Sequence, residues 1–206
     1  FKNMPGENVI LDGAGKALNG AFLAGGKSAL RFDGLHFVDF NFYPSQGWKL
    51  EYAGEFNLYQ CKDIEITRCF SDGRAGYTAR SVTAWHVENL HISNCANMNK
   101  MSGAMVFDRC PGLLLEHCVF ARPMTASFVL RNAADQPALL KDTIFTDMLQ
   151  KKAALNANLF AIDGSIERVS MSNNCYFLRC FPPAKRALVG ESTIAQLEKH
   201  FHASLF

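Results

Sequence analysis

Between Phe56 and Ser71 the apolar positions fall at Phe56, Leu58, Cys61, Ile64, Ile66 and Cys69, a spacing of two, three, three, two and three. The same template fits Val82, Ala84, Val87, Leu90, Ile92, Cys95 and Met105, Phe107, Cys110, Leu113, Leu115, Cys118 without a gap. A fourth copy reads Ala29, Phe32, Leu35, Phe37, Phe40, with Lys27 in its first slot. Two more need insertions: Phe128, Leu130, Ala133, then Ala138, Leu140, Thr143, Phe145; and Val169, Met171, Asn174, Tyr176. A partial copy, Val9, Leu11, Ala14, opens the chain. Taking Leu11, Phe37, Ile66, Ile92, Leu115, Leu140 and Met171 as one slot gives steps of 26, 29, 26, 23, 25 and 31 residues.

Period-two pairs such as Phe56/Leu58 and Ile64/Ile66 put alternate side chains on one face, as strands do. Each pair is too short for a helix. A three-residue step demands a bend onto a new sheet, so three strands and three bends make one coil. Coils stacked at about 4.8 Å bring equivalent residues into ladders and bury a continuous core. The pattern therefore predicts an all-β chain, a parallel β-helix solenoid of about seven coils over residues 1–182. Loops are expected at 43–55, 72–81, 98–103, 121–127 and 146–158, where the period varies. In the segment 183–206, Ser192-Thr193 ahead of Ile194, Leu197 and Phe201 reads as a capped amphipathic helix that covers the open end.

Five of the seven cysteines fall in slots of the repeat: Cys61, Cys69, Cys95, Cys110 and Cys118. Cys69, Cys95 and Cys118 share one slot in successive coils and are expected as a buried ladder of free thiols. Their spacing is not that of a zinc site, so no metal is expected. The 21 Lys and Arg against 19 Asp and Glu give a net charge of +2 with no basic run, which argues against a nucleic-acid partner. No apolar stretch reaches the length of a membrane span, so no membrane insertion is expected. The opening residues, Phe1-Lys2-Asn3-Met4-Pro5, look like a cut end and predict a longer parent chain.

The segments Leu58-Tyr-Gln-Cys-Lys-Asp-Ile-Glu-Ile-Thr-Arg-Cys69 and Val87-Glu-Asn-Leu-His-Ile-Ser-Asn-Cys95 resemble the pectate-lyase-like superfamily of right-handed parallel β-helices. Asn8-Val-Ile-Leu-Asp-Gly13 is similar to that superfamily's first coil, and Asn174-Cys-Tyr176 to the ends of secreted bacterial members. The resemblance implies a right-handed winding, an extracellular or periplasmic protein, and a substrate groove along the sheet that holds the template's first strand. It carries over no catalytic residues: Asp-Asp, Gly-His-Gly and clustered calcium-binding Asp motifs are missing from the chain. Cofactors stay unknown.

Outward residues on the groove sheet follow from the pattern. One row reads Leu30, Tyr59, Trp85, Asp108, Arg131, Asp163 and the next Arg31, Gln60, His86, Arg109, Asn132, Gly164. Tyr59 and Trp85 offer stacking faces to sugar rings. Asp108 and Asp163, two coils apart, match the carboxylate separation of inverting glycoside hydrolysis. Arg109, Arg131 and His86 suit uronate recognition or proton abstraction in β-elimination. Asp72, Arg80 and Lys100, read as loop residues, would reach the same groove. The expectation is a polysaccharide- or oligosaccharide-acting enzyme, a lyase or an inverting glycoside hydrolase. The alternative is a non-catalytic β-helix that binds glycan or protein, or serves as a structural module. A cross-strand ion pair between Asp108 and Arg131, or Trp85 packed beneath the 72–81 loop, would account for those residues without any ligand.

Overall fold

The structure, a computed structural model, describes residues 1–14, 20–40, 54–73, 80–100, 104–122, 128–132, 136–146, 160–162 and 168–177. The expected helix over 192–201, the whole segment 183–206 and Asp163 lie outside them.

The described residues are almost entirely strand and turn, in three parallel sheets. The first sheet holds β2 (Phe22–Gly25), β5 (Gly54–Tyr59), β8 (Arg80–Trp85), β11 (Met105–Asp108), β14 (Phe128–Arg131) and β17 (Phe160–Ile162). The second holds β3 (Ser28–Asp33), β6 (Lys62–Thr67), β9 (Glu88–Ser93), β12 (Leu114–Glu116), β15 (Ala138–Lys141) and β18 (Val169–Ser172). The third holds β1 (Val9–Asp12), β4 (Leu35–Val38), β7 (Phe70–Asp72), β10 (Ala96–Met98), β13 (Val119–Ala121), β16 (Ile144–Thr146) and β19 (Cys175–Phe177). Each strand pairs with the ones three before and three after it. The chain thus visits the three sheets in rotation, the connectivity a parallel β-helix requires.

The inward positions of all three sheets meet in one core. Phe56, Val82, Met105 and Phe128 are buried in the first sheet; Ile66, Ile92, Leu115 and Leu140 in the second; Phe37, Phe120 and Phe145 in the third. Equivalent residues stack, so aromatic rings meet across neighbouring strands: Phe22 lies on Phe56 with centroids 5.5 Å apart, and Phe120 on Phe145 at 5.1 Å.

The bends are made by backbone in the left-handed region, in rows. Gly26, Gln60, His86, Arg109 and Asn132 close the first-sheet strands at φ between 45° and 61°. Gly34, Arg68, Asn94, His117, Asp142 and Asn173 do the same after the second sheet, at φ between 51° and 73°. Glycine and asparagine take this conformation at least cost, and Asp, His and Arg hold it here at a bend repeated from strand to strand among the described residues.

The cysteine ladder forms as the repeat predicts. Cys69, Cys95 and Cys118 are buried and free, each with its thiol on the carbonyl two residues back, as Cys95 Sγ lies 3.2 Å from Ser93 O. Thr143 and Asn174 continue the row, and Asn174 Nδ2 donates to Leu140 O at 3.0 Å.

The start of the chain departs from the predicted register. Leu30 pairs with Ile64 and Arg31 with Glu65 in the second sheet, whereas Tyr59 pairs with Gly25. Leu30 and Arg31 are therefore not in the groove rows. Leu11 and Phe37 pair with each other in the third sheet, and the slot of Ile66 and Ile92 is filled by Phe32. The observed register runs through Phe22, Ala24, Lys27, Leu30, Phe32 and Leu35 without a gap, and the polar Lys27 in the slot of Cys61 is what hides it behind the later run Ala29, Phe32, Leu35, Phe37, Phe40. Of the histidines His36, His91 and His117, only His91 lies in a second-sheet strand, β9; His36 is in β4 of the third, and His117 sits at the bend after β12.

Candidate functional site

The last residues of five first-sheet strands form a row. Gly25, Tyr59, Trp85, Asp108 and Arg131 are direct partners along β2, β5, β8, β11 and β14. The four candidate side chains from Tyr59 to Arg131 thus project from successive strands at steps of about 4.8 Å. Tyr59 is 48% exposed, enough to offer a ring face, while Trp85, Asp108 and Arg131 are half-buried.

The carboxylate of Asp108 is already engaged. Asn132 Nδ2 donates to both of its oxygens, at 3.2 and 3.1 Å, and Arg109 Nε lies 3.8 Å from Oδ1. The cross-strand ion pair between Asp108 and Arg131 does not form, although their backbones are paired. Arg131 makes no ion pair with any described residue. His86 and Arg109 occupy the left-handed bend rather than the strand, so they leave the sheet at its rim, exposed. The His86 ring stands edge-on to Tyr59 with centroids 6.5 Å apart.

The outer face inward of this rim is not an open floor. Thr83 and Val106, outward residues of β8 and β11, are buried at 2% and 1% exposure. A ligand at this site would therefore meet the rim residues, not the centre of the sheet.

The three residues expected to reach the groove from loops are placed otherwise. Asp72 ends β7 in the third sheet, and its Oδ1 accepts from Asn99 Nδ2 at 2.8 Å. Arg80 opens β8 and is buried. Lys100 is 1% exposed and forms an ion pair with Glu55, itself fully buried; Ser71 donates to the same carboxylate. Burial pushes the Glu55 carboxyl up, against the lowering effects of Lys100 and Ser71. The row and this buried cluster are thus separate features. The cluster left little trace in the sequence, because Ser71 and Asn97 occupy inward slots of the third sheet where the apolar template expects nothing.

The second sheet carries its own charges. Glu116 accepts from Lys141 at 2.7 Å and lies 2.9 Å from His91 Nε2. The bonded Lys141 ammonium holds the Glu116 carboxyl below the usual carboxylate range, against partial burial and with help from His91. Arg68 binds Asp33 through Nε at 2.7 Å and Nη2 at 2.6 Å.

Among the described residues no group of three or more His, Cys, Asp or Glu side chains is placed to hold a metal ion, and no helix is long and apolar enough to cross a membrane. Comparison of the chain with protein-family models, with curated proteins and with solved structures gave no match.

Proposed function

We propose that the chain is a right-handed parallel β-helix of about seven coils, of the pectate-lyase-like kind, that binds an oligosaccharide or polysaccharide along the rim formed by Tyr59, Trp85, Asp108 and Arg131. The observation that carries the reading is the strict register of these four residues on successive parallel strands. It supports recognition of a repeating, extended ligand, because a ligand with its own repeat can meet one side chain after another. The aromatic end would take ring faces, which pack on aromatic surface. The charged end would hydrogen-bond hydroxyls or a carboxylate, with Arg131 the cation not committed to any described carboxylate.

Binding is better supported than turnover. Asp108 is held by Asn132 and Arg109, an arrangement that suits a fixed acceptor. A lyase or inverting hydrolase would need a second group acting with Asp108. The candidate for that role, Asp163, lies outside the described residues.

The test is calorimetric titration with neutral and uronate-containing oligosaccharides, beside an assay for reducing ends and unsaturated products. Trp85→Ala should weaken binding by about 1–3 kcal/mol, the scale of one aromatic side chain taken out of contact. Binding with no products identifies a glycan-binding β-helix. Products whose formation is abolished in Asp108→Asn identify an enzyme. If no glycan binds, the rim has no saccharide role and the reading fails.

A further inference from the structure

The interior of the fold is not wholly apolar. Where β5, β7, β8 and β10 face inward, Glu55, Ser71, Ser81 and Asn97 border a cavity of about 10 Å³, with Phe37 and Met105 on its apolar side. All four polar residues are at least nine-tenths buried. Three have their interactions in place: Ser71 donates to Glu55, Glu55 pairs with Lys100, and Ser81 Oγ donates to Ala104 O at 2.6 Å. Asn97 does not. Its Nδ2, buried on the third sheet's inward side, has no hydrogen-bond partner among the described residues.

We propose that one water molecule occupies this cavity, accepting from Asn97 Nδ2 and donating to Glu55, Ser71 or Ser81. The volume fits about one water, and the site offers the two or more polar partners an internal water requires. An unpaired buried amide is costly, and what it lacks is an acceptor. That requirement selects among small ligands. A metal cation cannot accept a hydrogen bond, and the Glu55 charge is already balanced by Lys100. An anion would meet the Glu55 carboxylate at close range. A neutral molecule that both accepts and donates satisfies every wall group, and only water is small enough. Bound there, it would join first-sheet residues (Glu55, Ser81) to third-sheet residues (Ser71, Asn97) through the core.

A high-resolution crystal structure of the wild-type protein tests this directly. It should show a single peak within hydrogen-bond distance of Asn97 Nδ2 and of an oxygen of Glu55, Ser71 or Ser81. Water relaxation dispersion should count one fewer long-lived internal water in Asn97→Leu than in wild type. An empty cavity, or Nδ2 bonded to a protein oxygen instead, would overturn the proposal. So would an unchanged count in a folded Asn97→Leu. Should that variant fail to fold, the wild-type density alone decides.

Discussion

Lys100 and Glu55, 45 positions apart in the chain, form an ion pair in which neither side chain reaches solvent. Glu55 is the second residue of β5 and Lys100 follows β10, so the pair ties the first sheet to the third across the corner between them. A buried pair of this kind is costly to break by halves. Lys100→Met should destabilise the fold by about 3–5 kcal/mol, because it strands a buried carboxylate. The double change Glu55→Leu with Lys100→Met should cost much less than the sum of the single changes. Urea denaturation of the three variants checks both statements. A double variant no better than the sum would mean that the two side chains do not act as a pair.

The cysteine ladder should be chemically silent in the native protein. Burial pushes the Cys110 thiol up to about 11. Contact with neighbouring thiols, together with burial, also raises Cys69 and Cys95. At neutral pH these groups stay protonated, and the protonated form is not the nucleophile. A thiol reagent should label Cys69, Cys95, Cys110 and Cys118 only after denaturant is added. Rapid native labelling at these positions would contradict their inward placement.

Inward and outward residues of one sheet should differ sharply in their effect on stability. Phe107, fully buried in β11, should cost about 3–5 kcal/mol when changed to Ala. Leu23, on the outer side of β2 and 71% exposed, should change stability by less than about 0.5 kcal/mol. The comparison is read from two denaturation curves.

Acid should release a definite share of the stability. The Glu116 carboxyl is held below its usual range in the folded protein, so the folded state binds its proton less readily than the unfolded chain does. Its contribution is complete above the unfolded value of about 4.3 and is lost as pH falls through the lower, folded one. Glu116→Gln should flatten the decline in melting temperature below about pH 4.5. An identical decline in the variant would show that the Lys141 and His91 contacts do not shift the carboxyl.

Two of the three sheets were plain in the sequence, and the third, although three strands per coil were expected, left a fainter signal. Phe56/Leu58 and Ile64/Ile66 alternate with apolar residues inward, so the first and second sheets announce themselves. In the third, the inward residues of β7 and β10 are Ser71 and Asn97, which carry no apolar signal. The same two polar side chains border the internal cavity, so one cause hid both. The rim row from Tyr59 to Arg131 could be read off the repeat because parallel pairing preserves position from strand to strand. The fates of Lys100 and Arg80 could not, since burial of a charged side chain at a corner depends on contacts distant in sequence. Trp85 and Asp108 were placed in line by pattern alone, whereas the grip of Asn132 on Asp108 requires the bend geometry.

Among the described residues each strand hydrogen-bonds only to the strands three before and three after it, so the first and last strands of a sheet are joined only through those between them. Cohesion in such a fold is a nearest-neighbour quantity, like that of a stack of coins. A defect introduced in β11 is felt in β8 and β14 and fades beyond them. Amide protons in the central strands of each sheet should therefore outlast those of β1, β2 and β3 in hydrogen exchange, each sheet wearing away from its edge inward.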